Sequence, residues 1–290
     1  MLPNRSISHE EFLKRKRRRK LWKFGVAIFL VLLLLGLVSY ASHRREIRIS
    51  KIELNGGILV TQEDLEPKAL EFMYGSHLWL FPRNNALWYP HGELEKYLRD
   101  TFKRIDRIDI SRKNFNTLVV DIKERKPFAM WCEKNNSSVG LSTTTPVTIE
   151  TEACYFIDQN STIFAKAPHF SGDAYFKYYG LVASSTTETP IGKEYIADAT
   201  LFSDISNFVT KAKELEVRPL YVLAKENDEF SLILHGGGEI YFDLKKPLSL
   251  VGQNLEALLR TTFASSTGDL KIEYIDLRYG NKLFYKLKNN

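Results

Sequence analysis

The sequence has few of the residues and spacings that metal binding or catalysis would need. It contains two cysteines and six histidines, and no two histidines are four positions apart. Two isolated cysteines do not supply the four ligands of a structural zinc site. A Gly-x-Ser-x-Gly nucleophile motif, a phosphate-binding Walker loop and a Gly-x-Gly-x-x-Gly segment are also missing. We therefore predict no catalytic residue, no cofactor and no metal ligand.

One short segment imitates a catalytic motif. The run His-Gly-Gly-Gly at 235–238 has the composition of the oxyanion motif of esterases. Strand-like segments flank it at 230–234 and 239–242, and a hairpin turn accounts for three consecutive glycines. We interpret the run as a turn.

Charge is absent from one long stretch of the chain. Phe24 to Ser42 is 19 residues without Asp, Glu, Lys, Arg or His, and Leu, Val, Ile and Phe dominate it. As a helix it would extend roughly 28 Å, close to the ~30 Å hydrocarbon core of a bilayer. Its apolar residues surround the helix axis without a polar stripe, which disfavours the buried helix of a soluble core. The sequence therefore predicts a single transmembrane helix over 24–42.

The residues before this helix are strongly basic. Lys14 to Lys20 reads KRKRRRK, and residues 1–23 carry nine Lys or Arg and two Glu. The positive-inside rule places this tail in the cytoplasm and the C-terminal part outside it. The net charge of the chain is +6 and the tail contributes +7 (nine minus two), so the remainder carries about −1. The outer part thus has no charge excess for nucleic acid, and the tail is expected to contact membrane lipid.

A cleaved signal peptide is the alternative to a permanent anchor. Ser39-Tyr40-Ala41 has the small-x-small form of a cleavage site. The apolar run is longer than the roughly 7–15 residues usual in signal peptides, which favours the anchor. Cleavage after Ala41 stays open as an alternative, and in both cases the large part leaves the cytoplasm.

The two cysteines lie in this outer part. Cys132 and Cys154 fall in strand-like segments that flank a polar stretch at 135–151, rich in Ser, Thr and Asn. If the two strands pair antiparallel, the cysteines face each other and can form a disulfide in an oxidising compartment. The alternative is a pair of reduced, buried thiols.

Residues 47–125 predict a small α+β domain. The predicted order is β-α-α-β-β, with elements near 47–54, 61–75, 92–102, 105–110 and 118–122. Gly56-Gly57 ends the first strand, Thr61 is placed as the N-cap of the first helix, and Gly75 ends that helix. Asn114-Phe115-Asn116 has turn chemistry between the last two strands.

Residues 126–290 predict a second domain, rich in strands and with two helices. Its strands are expected at 129–133, 154–158, 162–164, 220–224, 230–234, 239–242, 272–277 and 282–287, and its helices at 198–215 and 247–261. The fold class is therefore α+β behind one transmembrane helix.

Several of these segments resemble the FtsQ/DivIB family of cell-division proteins. The V-T-x-E-D-L run at 60–65 and the strand–turn–strand unit resemble a POTRA domain. The segment Glu124–Trp131 is similar to the E-R-x-P-x-A-x-W segment that follows that domain in the family. The run Tyr274–Tyr279 is similar to the strand that closes the family's β-domain.

The resemblance implies a non-enzymatic role in bacterial septum formation at the cytoplasmic (inner) membrane. In this family the POTRA domain serves recruitment of division proteins, and the β-domain binds FtsL and FtsB (DivIC in Gram-positive bacteria). The last strand pairs with a segment of the FtsB-type partner. Carried over by position, the partner-binding residues are Tyr279, Lys282, Leu283, Phe284, Tyr285 and Lys286.

Other interpretations of these features stay open at the level of sequence. Leu283 and Tyr285 could simply cover the core, with Lys282 and Lys286 keeping an edge strand soluble. The chain could also be a membrane-anchored envelope enzyme with an unfamiliar site, or another envelope assembly factor that carries a POTRA domain.

Overall fold

The chain folds into two units, and the first of them contains a long N-terminal helix. The computed structural model describes residues 9–77, 81–133, 153–170, 174–180, 182, 189–263, 270–280 and 282–288. The first unit comprises Met1–Phe102 and Arg107–Lys123, and the second comprises Lys103–Asp106 and Glu124–Asn290. The predicted polar stretch at 135–151 lies outside the described residues.

Helix α1 spans His9–Ser42 and is long and apolar enough to cross a membrane. It begins well before the predicted start at Phe24, because the basic tail is itself rich in helix-forming Glu, Leu, Lys and Arg. The helix ends at Ser42, and the ring of His43 donates a hydrogen bond to the carbonyl oxygen of Ser39 (2.8 Å). That bond satisfies one of the carbonyl groups that a helix end leaves unpaired. The helix is thus consistent with a single-pass anchor.

The first unit is a three-stranded sheet with two helices and a small hairpin. Its elements are η1 (Arg45–Ile47), β1 (Lys51–Asn55), α2 (Gln62–Phe72), β2 (Ser76–His77), β3 (Phe81–Pro82), α3 (His91–Thr101), β4 (Ile105–Arg112) and β5 (Thr117–Glu124). The strand order is β1-β5-β4, and β1 runs parallel to β5. Apart from the hairpin, the order of elements is the one that the sequence predicts.

Local chemistry explains where β1 and α2 begin and end. Ile47 lies in the short 3-10 helix, so the strand starts later than its isoleucine spacing suggests. After β1, Gly56 adopts a φ of 78°, and a Cβ at that position would collide with the carbonyl of Ile122. Thr61 caps α2 as predicted, because its hydroxyl accepts a hydrogen bond from the backbone N–H of Asp64 (3.2 Å).

The second unit is built on one nine-stranded sheet. Its elements are β6 (Ala129–Cys132), β7 (Cys154–Ile157), β8 (Ile163–Lys166), β9 (Lys177–Tyr179), α4 (Ala199–Glu214), β10 (Pro219–Ala224), β11 (Glu229–Leu234), β12 (Glu239–Asp243), α5 (Leu248–Thr262), β13 (Ile272–Asp276) and β14 (Phe284–Leu287). The strand order is β14-β13-β12-β11-β10-β9-β6-β7-β8. Strand β9 was not predicted, because the largely aromatic and apolar run around it, AYFKYYGLVA at 174–183, does not alternate between polar and apolar residues.

Helices α4 and α5 cover one face of this sheet. Asp198 caps α4 by accepting a hydrogen bond from the N–H of Thr200 (2.8 Å). Phe208 of α4 packs against Phe242 of β12, with ring centroids 4.8 Å apart. Both rings belong to one large apolar cluster that includes inward residues of most of the strands. Burial of this cluster is the main stabilising contribution visible in the unit.

A disulfide joins Cys132 and Cys154, as the sequence predicts. Strands β6 and β7 pair antiparallel, and the two cysteines lie opposite each other in the register. Cys132 shares a small apolar cluster with Met130 and Phe156, on the face of the sheet opposite Trp131. The bond therefore links neighbouring strands near the β8 end of the sheet.

Candidate functional site

Strand β14 is one edge of the nine-stranded sheet. It pairs antiparallel with β13, and in the described part of the chain no other strand lies beside it. It starts at Phe284, two residues after the predicted start, because the N–H of Lys282 still closes a turn onto the carbonyl of Tyr279 (3.3 Å). All four of its residues are exposed. The last strand is therefore accessible from its outer side.

The register shows which backbone groups of β14 face outward. The N–H of Lys288 donates to the carbonyl of Lys271 (3.1 Å), so the backbone of Lys288 faces β13. Backbone groups alternate in direction along an antiparallel strand, and the irregularity in this pairing falls on β13. The N–H and C=O of Tyr285 and Leu287 consequently point away from the sheet.

Beside the strand lies an aromatic surface around one arginine. The guanidinium of Arg278 lies 5.3 Å from the ring centroid of Tyr241 and 5.8 Å from that of Tyr279. The rings of Tyr279 and Phe284 meet edge to face at 5.4 Å. With Tyr274, these side chains line a groove of about 1180 Å³. We call these five residues (Tyr241, Tyr274, Arg278, Tyr279 and Phe284) the edge surface.

Arg278 is held in place by two carboxylates. It donates to both oxygens of Asp276 (Nε to Oδ1 2.9 Å, Nη2 to Oδ2 2.6 Å) and to Oε2 of Glu229 (2.6 Å). Burial raises the pKa of the Asp276 carboxyl, but hydrogen bonds from Arg278 and its charge outweigh that effect, so the pKa lies below its usual value. The hydrogen bond to Asp276 raises the pKa of Arg278 in turn. The guanidinium is thus a fixed cation beneath the aromatic rings.

The structure divides the sequence-predicted residues between the two faces of the sheet. Tyr279 and Phe284 are on the edge surface and are 58% and 49% exposed. Leu283 packs partly buried against the main apolar cluster, and the ring of Tyr285 contacts Phe263 beyond α5 at 5.7 Å. Leu283 thus covers the core, as the alternative interpretation expects, whereas Tyr285 stays 43% exposed.

The two lysines of the predicted set differ in their contacts. Lys286 forms an ion pair with Glu273 on β13 (2.7 Å), and this hydrogen-bonded partner raises the pKa of the Lys286 ammonium. Lys282 precedes the strand and is exposed on the rim of the groove. Both positions place positive charge next to the edge strand.

Sequence reasoning missed three members of the edge surface. Tyr241 and Tyr274 come from β12 and β13, which pair in parallel with a register that no local pattern encodes. Arg278 lies in the run Tyr274–Tyr279, but the sequence predicted no binding role for it. The outward positions of the neighbouring strands β12 and β13 carry Tyr241 and Tyr274, and these exposed-side aromatic residues are the signal that the sequence offered.

The structure settles what the His-Gly-Gly-Gly run at 235–238 forms. The run at 235–238 forms the turn between β11 and β12, where the N–H of Gly237 donates to the carbonyl of Leu234 (2.9 Å), so the hairpin interpretation is confirmed. Within the described ranges, no group of three or more His, Cys, Asp or Glu could hold a metal ion.

The fold and the edge surface define a mixed α+β protein with an exposed sheet edge, and the described part of the chain contains one helix long and apolar enough to span a membrane. No protein-family model matches the sequence, and no curated protein matches it.

Proposed function

We propose that this chain is a non-enzymatic, single-pass membrane scaffold of the FtsQ/DivIB type. It would act in bacterial septum formation, with the basic tail in the cytoplasm and both folded units outside. Its partners would be small membrane proteins similar to FtsB (DivIC) and FtsL. The first unit would correspond to the POTRA domain of that family and the second to its β-domain.

The observation that carries this proposal is the open edge at β14. An exposed strand edge offers unpaired N–H and C=O groups, and an extended segment of a partner can satisfy them. The outward groups belong to Tyr285 and Leu287, and the aromatic side chains of the edge surface lie next to them. Main-chain pairing would supply affinity, and the groove would select the side chains of the partner.

The charge of the edge supports an acidic partner segment. Arg278, Lys282 and Lys286 lie along the strand or beneath it. Arg278 and Lys286 each have a carboxylate within 3 Å, whereas Lys282 forms no ion pair with any residue that the structure describes. Lys282 is therefore the cation best placed to meet a carboxylate of the partner.

A proline substitution in the full-length chain tests strand pairing directly. Tyr285→Pro removes the outward N–H of that residue, and edge positions whose N–H faces solvent tolerate proline. Tyr285→Ala is the matched control, because it deletes the same ring but keeps the N–H. The full-length variants would be purified from membranes of the native bacterium. The measurement is the amount of FtsB/DivIC-type and FtsL-type protein that co-purifies with each variant.

We expect the proline variant to lose these partners and the alanine variant to retain most of them. Capture by the proline variant at the level of the original chain would show that β14 does not pair with a partner strand. Unfolding of both variants in urea checks that neither has lost its fold.

A further inference from the structure

The first unit carries exposed apolar side chains at the end where α1 enters it. Leu87 and Trp88 are 51% and 60% exposed, and Phe115, in the turn between β4 and β5, is 51% exposed. We call these three residues the juxtamembrane patch. Scattered exposed apolar residues are ordinary, but residues that come from separate segments and meet at one end of a unit suggest a common surface.

Buried hydrogen bonds tie this patch to the end of the helix. The side-chain amide of Asn85 donates to Oγ of Ser42 (2.8 Å) and to its carbonyl oxygen (3.3 Å). Ser42 and Asn85 are only 2% and 1% exposed. The N–H of Ala86 also donates to the carbonyl of Ile47 (2.9 Å). The turn that carries Leu87 is therefore fixed against the last residue of α1.

Arg112 connects the third member of the patch to the same place. Its Nη1 donates to the carbonyl of Ala86 (2.7 Å), and its guanidinium lies 5.5 Å from the ring centroid of Phe115. The N–H of Ser50 donates to the carbonyl of Asn116, next to Phe115 (2.9 Å). All three apolar residues thus lie close to where α1 ends.

The length of the uncharged segment of α1 indicates how deep in the membrane the C-terminal end of the helix lies. If the 19 uncharged residues of α1 fill the hydrocarbon core, Ser42 lies at its outer boundary. The headgroup layer beyond that boundary is roughly 5–7 Å thick on each side. Leu87 follows Asn85 by two residues, so their Cα atoms are within about 8 Å of each other. On that placement, Leu87 lies within reach of the headgroup layer.

The chemistry around the patch matches that layer. Trp and other aromatic residues favour the membrane–water interface, where an apolar ring meets polar headgroups. Arg44 stacks over Tyr40 in the last turns of α1 (5.5 Å), and Arg45 and Arg112 are exposed nearby. Their guanidinium groups are suited to lipid phosphates.

We propose that the juxtamembrane patch inserts into the lipid headgroup layer and holds the first unit against the membrane. This inference rests on the proposed anchoring by α1 but not on any partner of β14. The occupant is the bilayer itself rather than a second protein.

Fluorescence quenching in nanodiscs tests the assignment on the full-length chain. The native cysteines are joined in a disulfide, so Leu87→Cys or Phe115→Cys gives one site for an environment-sensitive dye. The bilayer would be phosphatidylethanolamine and phosphatidylglycerol, with nitroxide lipids labelled either near the headgroup or at the chain end. Leu59→Cys is the matched control, because Leu59 is 63% exposed but follows β1 at its far end. Leu33→Cys, in the middle of the uncharged segment 24–42, reports whether the helix spans the bilayer.

We expect the headgroup nitroxide to reduce emission at positions 87 and 115 strongly and at position 59 little. The chain-end nitroxide should reduce emission at position 33. If position 33 is quenched but positions 87 and 115 are quenched no more than position 59, the lipid assignment is wrong. The membrane anchor would then still stand. Shielding of positions 87 and 115 only after a second membrane protein is added would identify a protein interface instead. No quenching at position 33 would remove the anchor and this inference together.

Discussion

The two edges of the nine-stranded sheet differ in how much of their backbone the chain itself covers. At β8, the N–H of Ile163 donates to the carbonyl of Lys193 (2.9 Å), and the N–H of Gly192 donates to the carbonyl of Ile163 (2.6 Å). The chain itself therefore covers part of that edge. At β14, the described residues supply no such cover, and exposed aromatic side chains lie beside the strand. The first edge is partly covered by the chain itself, whereas the second is exposed, as the proposed pairing with a partner strand requires.

From this difference we expect mutations at the β8 edge to lower stability and mutations at the β14 edge to lower partner binding. Ile163 on β8 is fully buried in the main apolar cluster. Ile163→Ala should lower the free energy of unfolding by about 2–5 kcal/mol, because it removes buried methylene groups and leaves a cavity. Urea unfolding of the second unit measures the loss. The milder Ile163→Val should cost about 0.5–1.5 kcal/mol, and equal costs for the two variants would mean that the β8 edge is not tightly packed.

The disulfide should act on stability and leave recognition unchanged. Closing a loop over a sequence separation of 22 stabilises the folded state by about 3 kcal/mol in the chain-entropy model. Reducing the bond, or changing both cysteines to alanine, should lower the unfolding free energy by about that amount. The bond lies near the β8 end of the sheet, so capture of partners at β14 should not change.

A reductant provides the control for this prediction. It should destabilise the original chain and have no effect on the double alanine variant. Loss of partner capture on reduction, under conditions where the unit stays folded, would contradict the separation between the two edges.

Much of this architecture was readable from the sequence, and the exceptions have physical causes. The helix α4 and the Cys132–Cys154 pairing followed from periodicity and from strand-like flanks, which are local signals. Two of the five residues of the edge surface were predicted, because Tyr241 and Tyr274 meet through parallel pairing across a helix, a long-range contact. The start of β14 was placed two residues early, because the turn at Tyr279 extends through Lys282.

The pair of Asp276 and Arg278 gives the β14 end a distinctive dependence on pH. The pKa of Asp276 is lowered in the folded state, so its stabilising contribution is complete above its unfolded pKa of about 3.9. That contribution disappears as the pH falls through the lower folded-state pKa. Asp276→Asn should cost about 1–2 kcal/mol at pH 7, through loss of charged hydrogen bonds, and much less at the acid end.

Urea unfolding from pH 7 to pH 2 measures this effect, with the original chain and Asp276→Asn compared at each pH. The two curves should approach each other as the pH falls below 4. A constant gap across the whole range would show that Asp276 acts through packing rather than through its charge.

The smallest effect on stability is expected at Phe284, the aromatic residue at the start of β14. Its ring is 49% exposed and touches Tyr279, so Phe284→Ser should change the unfolding free energy by less than about 1 kcal/mol. Partner capture should nevertheless fall sharply, because aromatic anchors dominate interface energies. Phe128→Ser is the matched control: Phe128 is 42% exposed, its ring meets Phe202 edge to face at 6.0 Å, and it precedes β6 toward the β8 end of the sheet, so its loss should leave partner capture unchanged. If Phe284→Ser destabilised the unit as much as Ile163→Ala, β14 would be a structural edge like β8, and the contrast between the two edges would fail.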